Sequence, residues 1–304
     1  MSLPLISRAP ADGRRLRRLP LGALFVSPYA LFLLVVFAVP LGYTVWMSFH
    51  RFYFTAPGTE VDAPWVGLRN YQDVFTDPVV QRSFYNIAVF LVINVPLTVV
   101  LSLVLASALN SKLPLRSFFR AAYYLPYITA SVALVAVWSY LFGTDGLVNH
   151  ALGGLAPDPS WLVNSSLAMP VVAVFVTWKN LGFFVMLYLA ALQSVPGELY
   201  ESAAVDGAGR VRSFLTVTVP GVRPATTLVT VYAIITGSNL FSEPYLLTGG
   251  GGPDHASASP VLVLYQKGIE QAHPDFAAAL GVVLVLFVVA LSLVARRFTE
   301  KKEG

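Results

Sequence analysis

The sequence predicts an all-α, polytopic membrane protein with six transmembrane helices and both termini in the cytoplasm. Three observations carry this expectation. Of the 304 residues, 56% are hydrophobic and only 12% are charged, and mean hydropathy is +0.67, a composition suited to lipid rather than water. The apolar residues are gathered into runs of roughly 20 or more, the length a helix needs to cross a hydrocarbon core of about 30 Å. The runs also lack the period-two alternation of barrel strands.

The runs lie at 21–49, 84–109, 118–142, 167–192, 226–247 and 276–295. Residues 1–20 form a basic tail carrying Arg8, Arg14, Arg15, Arg17 and Arg18, as the start of a signal peptide would. The run that follows has the length of a full span, and no small-x-small site followed by a polar stretch comes after it, so it is expected to be a retained first helix. Pro28, Pro40, Pro96, Pro126 and Pro170 lie in or near the runs, where neighbouring helices satisfy the freed carbonyls. Between the first two runs, Trp65 to Phe75 alternates aromatic and polar residues at helical spacing before Asp77-Pro78, which predicts an interfacial helix. The connections 143–166 and 249–274 are rich in Gly, Pro, Asp and Asn and read as turns. Within the second, GGGGP at Gly249 to Pro253 reads as a flexible turn. The expected organisation is a tail over 1–20, one six-helix transmembrane domain over 21–297, and a tail over 298–304.

Charge gives the orientation. On one side of the six runs lie the five N-terminal arginines, Lys112, Arg116, Arg120, Arg210, Arg212, Arg223, Arg296, Arg297, Lys301 and Lys302; on the other lie only Arg51, Arg69, Arg82 and Lys267. Lys179 falls inside the fourth run. The richer side is cytoplasmic by the positive-inside rule, which places both termini and the connection around Glu198 to Pro224 there.

That connection, ELYESAAVDGAGRVRSFLTVTVPGVRP, is the most polar well-formed element between two very apolar runs. Pro196 suits a first turn, and Glu198 and Glu201 put negative charge near the positive end of a helix dipole. Asp206-Gly207 is a turn signal, with Gly207 free to take the left-handed conformation that ends a helix. A second helix follows from about Ala208, with Val211, Phe214, Leu215 and Thr218 on one stripe, until Pro220 and Pro224 stop it.

Several chemistries are disfavoured. The chain has no cysteine, hence no disulfide, thiolate metal site or cysteine nucleophile. His50, His150, His255 and His273 are too dispersed for a local metal motif. The net charge of +4 is spread among apolar runs, which gives nucleic acid no footprint. No GxxxxGK[ST] phosphate loop occurs, so ATP hydrolysis would require another chain. No HExxH or paired carboxylates sit in the runs for an intramembrane enzyme. An ion-coupled carrier would want midplane acids, and Glu243 near the end of the fifth run is almost alone.

Glu201, Ala203, Asp206, Gly207 and Ala208, followed by Phe214, Pro220 and Pro224, resemble the EAA loop of membrane permeases in binding-protein-dependent ABC importers. Ser202 stands where that motif usually has its first alanine, a small-for-small departure. The resemblance continues from about Leu21 to Arg297. Trp65 to Tyr71 (WVGLRNY), Leu125-Pro126-Tyr127, Trp178-Lys179 with Gly182-Phe183, and Tyr245 to Gly250 (YLLTGG) look like signatures of the sugar-permease branch. What this implies is a type I (MetI-like) importer fold in a bacterial or archaeal cytoplasmic membrane. The chain would form half of the translocation pathway for a sugar or oligosaccharide, with glycerol phosphate as the alternative solute. It would pair with a second permease as a heterodimer, with two cytoplasmic ATPase subunits that carry ATP and Mg, and with an extracytoplasmic solute-binding lipoprotein or periplasmic protein. The chain itself would bind no cofactor and be no enzyme. The loop 194–224 would couple to the ATPases through Glu201, Ser202, Ala203, Asp206, Gly207 and Ala208, the small side chains allowing close approach.

Polar residues inside spans are costly and face a cavity or another helix. Trp178, Asn180, Asn239, Glu243 and Tyr245 combine the amide, carboxylate and aromatic groups that hold sugars, and equally the types that tie helices together. Glu243 stands one position beyond the place where the branch often has its acid, now Ser242. Lys179 reads as a structural partner, Asn86 and Asn94 as interhelical donors, and Tyr123, Tyr124 and Tyr127 as interfacial aromatics.

Overall fold

The computed structural model describes residues 21–54, 62–111 and 115–300. The expected basic tail over 1–20 and the last four residues lie outside these. Helices dominate the described residues, which contain no strand beyond an isolated antiparallel bridge between His50 and Trp65. The chain divides into two units, Met1–Trp46 and Met47–Gly304.

The described part of the first unit is one apolar rod. Helix α1 (Leu21–Leu33) passes through a five-residue π turn (Leu34–Ala38) into α2 (Val39–Ser48). Pro40, the second residue of α2, lies just beyond that turn; it has no N–H to offer a regular ladder, and the wider turn absorbs the irregularity. Large apolar side chains are exposed all round, Phe25, Tyr29, Leu31 and Phe37 among them, as suits a helix solvated by lipid. The hydroxyls of Ser27 and Thr44 bond back to Leu24 O and Pro40 O, each at 2.9 Å, so they present no bare donor to the bilayer.

The first helix wholly inside the second unit is the short one expected before Asp77-Pro78. The structure starts it later than the pattern did, at α3 (Arg69–Thr76), because Val66 N–H bonds Phe49 O and Arg51 N–H bonds Pro64 O, holding Trp65 extended. Asn70 then fastens α3 by donating to Ser48 O and His50 O, both at 2.9 Å. Helix α4 (Pro78–Asn110) starts six residues before the expected run at 84: Asp77 Oδ1 accepts from Val79 N–H and Val80 N–H at 2.8 and 3.2 Å, and Pro78 fills the first position. Its 33 residues rise about 50 Å. Burial pushes the Asp77 carboxyl up, but hydrogen bonds from Lys267 and from the Val80 and Val79 N–H groups outweigh it and hold the group below its ordinary value.

The apolar run 118–142 is two helices, α5 (Arg116–Ile128) and α6 (Ser131–Phe142), because Pro126 and the extended Thr129 interrupt it. The stretch with the length and composition of a span is Ser131–Leu155, which takes in α7 (Leu147–Leu152). Helix α8 (Ala168–Leu192) is the centre of the unit. Ile87, Phe90 and Leu91 of α4 meet Met169, Val172, Ala173 and Val176 of α8 in one buried cluster. Asn94 Nδ2 donates to Thr177 Oγ1 across that seam at 2.8 Å. On its other side α8 accepts α5 at Gly182, where an added Cβ would lie 2.1 Å from Tyr123 O.

The two-helix connection comprises α9 (Gly197–Val205), α10 (Arg210–Ser213), a π turn (Phe214–Thr218) and α11 (Val219–Gly221). Helix α12 (Arg223–Ser238) leaves it at a 71° bend. The expected span 226–247 is therefore broken: Asn239, Leu240 and Phe241 separate α12 from α13 (Ser242–Leu247). Five helices among the described residues are long and apolar enough to cross a membrane, and six if Arg210–Gly221 and Arg223–Ser238 form one bent span.

The connection 249–274 is more than turns. It folds into α14 (Pro260–Tyr265) and a π turn (Gln266–Glu270), and Ala256, Ser257, Ala258, Ser259, Leu262 and Val263 are buried. Ser259 accepts Leu262 N–H as the cap, with Pro260 in the first turn. The glycine run is not loose either. Gly249 to Gly252 all have positive φ, from +64° to +112°, and Gly250, Gly251 and Gly252 N–H bond Tyr245 O, Pro244 O and Thr248 O, a left-handed path only glycine follows at low cost. The chain closes with α15 (Pro274–Glu300).

Candidate functional site

Two groups of sequence-predicted residues lie in distinct places. The first is the connection 194–224. Helix α9 has Pro196 as its N-cap rather than inside its first turn, and Glu198 within that turn. It ends in a complete Schellman motif: Ala208 N–H bonds Ala203 O at 2.9 Å, Gly207 N–H bonds Ala204 O at 3.1 Å, and Gly207 has φ +74°. The turn is thus rigid although exposed. Glu201, Ser202, Asp206 and Gly207 face outward, and Ala203 and Ala208 are half-buried beneath them.

The second helix differs from the single stripe the spacing predicts. Thr218 is buried and Phe214 half-buried, whereas Val211 and Leu215 are exposed. The π turn over Phe214–Thr218 adds a residue and rotates the stripe apart. Tyr200 OH and Thr218 Oγ1, 3.1 Å apart, tie α9 to that turn. The outcome is a hydrogen-bonded pair of short helices that still exposes Leu199, Val205 and Val211, with Val205 88% exposed.

The second group is the polar set of the fourth and fifth runs, and the structure divides it. Lys179 Nζ donates to Glu243 Oε1 at 2.8 Å and to Ser131 Oγ at 2.6 Å, joining α8, α13 and α6. Both side chains of the ion pair are nearly enclosed, 14% and 11% exposed. Glu243 is therefore engaged by the protein, in keeping with the reading of Lys179 as a structural partner. Tyr245 joins Phe241 and Tyr265 in an aromatic group, with centroids 5.4 and 5.9 Å away. Trp178 packs with Trp138 and Phe175. Asn239 caps α12 by donating to Ile235 O at 2.8 Å. Asn180 is half-buried, and no hydrogen bond or ring contact among the described residues links it to these groups.

Sequence reasoning missed Ser131 and Tyr265. Ser131 begins a helix after a break that the continuous apolar run conceals, and Tyr265 lies in a connection read as turns. The Ser259-Pro260 pair before VLVLY was the available signal for the second. Asn86 and Asn94 are buried donors as expected, but Asn86 serves backbone: its Nδ2 bonds His255 O and Ala258 O at 2.7 and 3.0 Å.

Long apolar helices, broken spans closed by a buried ion pair, and a two-helix element at the end of the fourth span define a polytopic membrane protein. The chain belongs to the family of binding-protein-dependent transport system inner membrane components, whose model matches residues 98–302. It is 32% identical over 288 residues, 92% of this chain and 97% of the relative, to a probable ABC transporter permease of Bacillus subtilis, YurN. It is 31% identical over 285 residues, covering 92% and 89%, to the arabinooligosaccharides transport system permease AraP of the same species. Its fold matches a chain of a bacterial alginate ABC transporter, crystallised with an alginate pentasaccharide-bound periplasmic protein, at a TM-score of 0.76 and 21% identity over 93% of this chain and 96% of that one. The family resemblance read from the EAA-like loop is thereby established.

Proposed function

We propose that this permease forms one half of the pathway of an ATP-driven importer for a sugar or oligosaccharide, and that residues 194–224 are its contact with a cytoplasmic ATPase. The observation that carries the coupling reading is the rigid, exposed α9–α11 element. A Schellman-capped turn with Leu199, Val205 and Val211 exposed is built to be gripped by a complementary surface rather than to return the chain to the membrane. The Lys and Arg asymmetry supports a cytoplasmic position for this element and both termini. The second, different permease, two ATPase subunits holding ATP and Mg, and an extracytoplasmic solute-binding protein complete the assembly; this chain holds no cofactor. The relative named for arabinooligosaccharides and the aromatic group of Phe241, Tyr245 and Tyr265 support a sugar-type solute, with Trp178, Asn180 and Asn239 as further pathway residues. Glu243 contributes by holding α13 in place.

The test uses the assembled complex in vesicles. Glu201→Lys is expected to leave this chain in the membrane and to abolish solute-stimulated ATP hydrolysis. Wild-type stimulation in that variant rejects the coupling role.

A further inference from the structure

Among the described residues Arg82 has no counter-charge. It is the fifth residue of α4, close to the positive end of a long helix dipole, where a cation is disfavoured. No hydrogen bond or carboxylate reaches its guanidinium among the described residues, and its Nε is buried without an acceptor. Its one close partner is the Tyr85 ring, whose centroid lies 5.3 Å from the guanidinium carbon. Arg120, the fifth residue of α5, likewise has a buried Nε with no acceptor among the described residues, whereas Arg116 Nε bonds Leu109 O at 2.9 Å and Arg223 Nε bonds Thr299 O at 2.7 Å.

The guanidinium borders a cleft of about 250 Å³ between α4 and the start of α8. Ser165 and Ser166 line it, both exposed and neither with a side-chain hydrogen bond among the described residues. The first turn of α8, with Met169 and Pro170, completes that wall and adds the positive end of a second dipole. Asn86 presents only its oxygen, since both amide hydrogens are used. No carboxylate lines the cleft. One unpaired cation, two free hydroxyls and a helix N-terminus together select an anion with several acceptor oxygens.

We propose that this cleft binds the phosphate of an anionic membrane phospholipid. Arg82 and Met169 both stand near the first residue of their candidate spans, Pro78–Asn110 and Ala168–Leu192, which is headgroup depth at either face of a bilayer. From the cleft an apolar track continues along α4 at helical spacing through Tyr85, Ala88 and Val92, all exposed, the surface an acyl chain would cover. Phosphate and track together fit a lipid and not a small soluble anion. The site does not depend on which solute is carried.

The chain has no natural cysteine, so Ser166→Cys gives it a single thiol at the cleft. In the detergent-solubilised full complex, added phosphatidylglycerol is expected to slow maleimide labelling of that thiol about tenfold, the loss of one charge-assisted contact's worth of affinity restoring the rate. Arg82→Gln on the same background is expected to abolish the protection, and inorganic phosphate to give none. Failure of phosphatidylglycerol to protect when Arg82 is intact overturns the proposal without recourse to the Arg82 variant. Equal protection in Arg82→Gln overturns it too. Protection by inorganic phosphate alone assigns the cleft to a soluble anion, and protection by the purified solute-binding protein assigns it to a protein carboxylate; either result also overturns the lipid site.

Discussion

Removing one partner of the Lys179–Glu243 pair should release α13. The pair is 2.8 Å apart with side chains 14% and 11% exposed, so a charge left alone there is poorly hydrated and, among the described residues, has no other salt-bridge partner. Breaking such a buried pair from one side costs about 3–5 kcal/mol, whereas replacing both members with apolar residues is often near neutral. Ser131 offers Lys179 one hydroxyl, which offsets a fraction of the loss in Glu243→Leu; Lys179→Met leaves the Glu243 carboxylate with no other hydrogen-bond partner among the described residues and belongs at the upper end. Three kcal/mol is more than a hundredfold in the equilibrium between docked and released α13. The assay is thermal inactivation of the assembled complex in detergent for both single variants and the double variant. The expected pattern is two strongly destabilised single variants and a double variant close to wild type. Single losses below about 1 kcal/mol, the size of an exposed pair, or a double variant that loses the sum of both, would refute the reasoning.

Other expectations are as definite. Gly182→Ala places a Cβ 2.1 Å from Tyr123 O and 2.7 Å from Tyr124 Cα; backbone cannot yield as a side chain does, so α5 separates from α8 and the complex is recovered at much lower yield than with Gly197→Ala, where the added atom meets nothing within 4 Å. Gly207→Val meets no neighbour within 4 Å either, and its cost is conformational, about 1–2 kcal/mol for φ +74°; Gly207→Asn should recover most of the coupled ATPase activity that valine loses, and equal loss in both would place the defect elsewhere. The Asp77 carboxyl is held below its ordinary value, so its contribution is full above the unfolded value near 3.8 and is lost as pH falls through the lower folded value. Thermal midpoints measured against pH should therefore show an acid limb that is shallower in Asp77→Asn, and identical limbs in the two proteins would dismiss the contribution.

The long helices were legible because their information is local and repeated. The runs 84–109 and 167–192 are apolar for full bilayer lengths, whereas the first turns of α4, with Gln81, Arg82 and Ser83, are too polar to belong to the run. The rigid turn at Gly207 was legible for the same reason: an Asp-Gly after a small-residue helix has one low-energy solution. The interior of the third and fifth runs was not, since Thr129 and Asn239 are ordinary residues inside apolar stretches, and what breaks the helix there is tertiary. The expected stripe of Val211, Phe214, Leu215 and Thr218 failed because a π turn changes the period after the pattern has begun. Among the site residues the sequence supplied the types but not the pairing. That Glu243 is bound to Lys179, 64 positions away, while Tyr245 turns to Phe241 and Tyr265, depends on how α13 is laid against α6 and α8.

The two breaks are not independent. Ser131 is the first residue of α6 and Glu243 the second of α13, so each begins a helix just after its run is interrupted, and both bond the same ammonium on the unbroken α8. A cation near two helix N-termini is unfavourable by the dipole rule; the carboxylate in the first turn of α13 removes that penalty and fixes the register of both helices to one atom. The consequence separates the partners. Loss of Glu243 should loosen 239–247 and leave α6 held through Ser131, whereas loss of Lys179 should loosen both 129–135 and 239–247. Amide hydrogen exchange of the assembled complex resolves the two segments, and equal exchange at 129–135 in Lys179→Met and wild type would mean that α8 does not join the breaks.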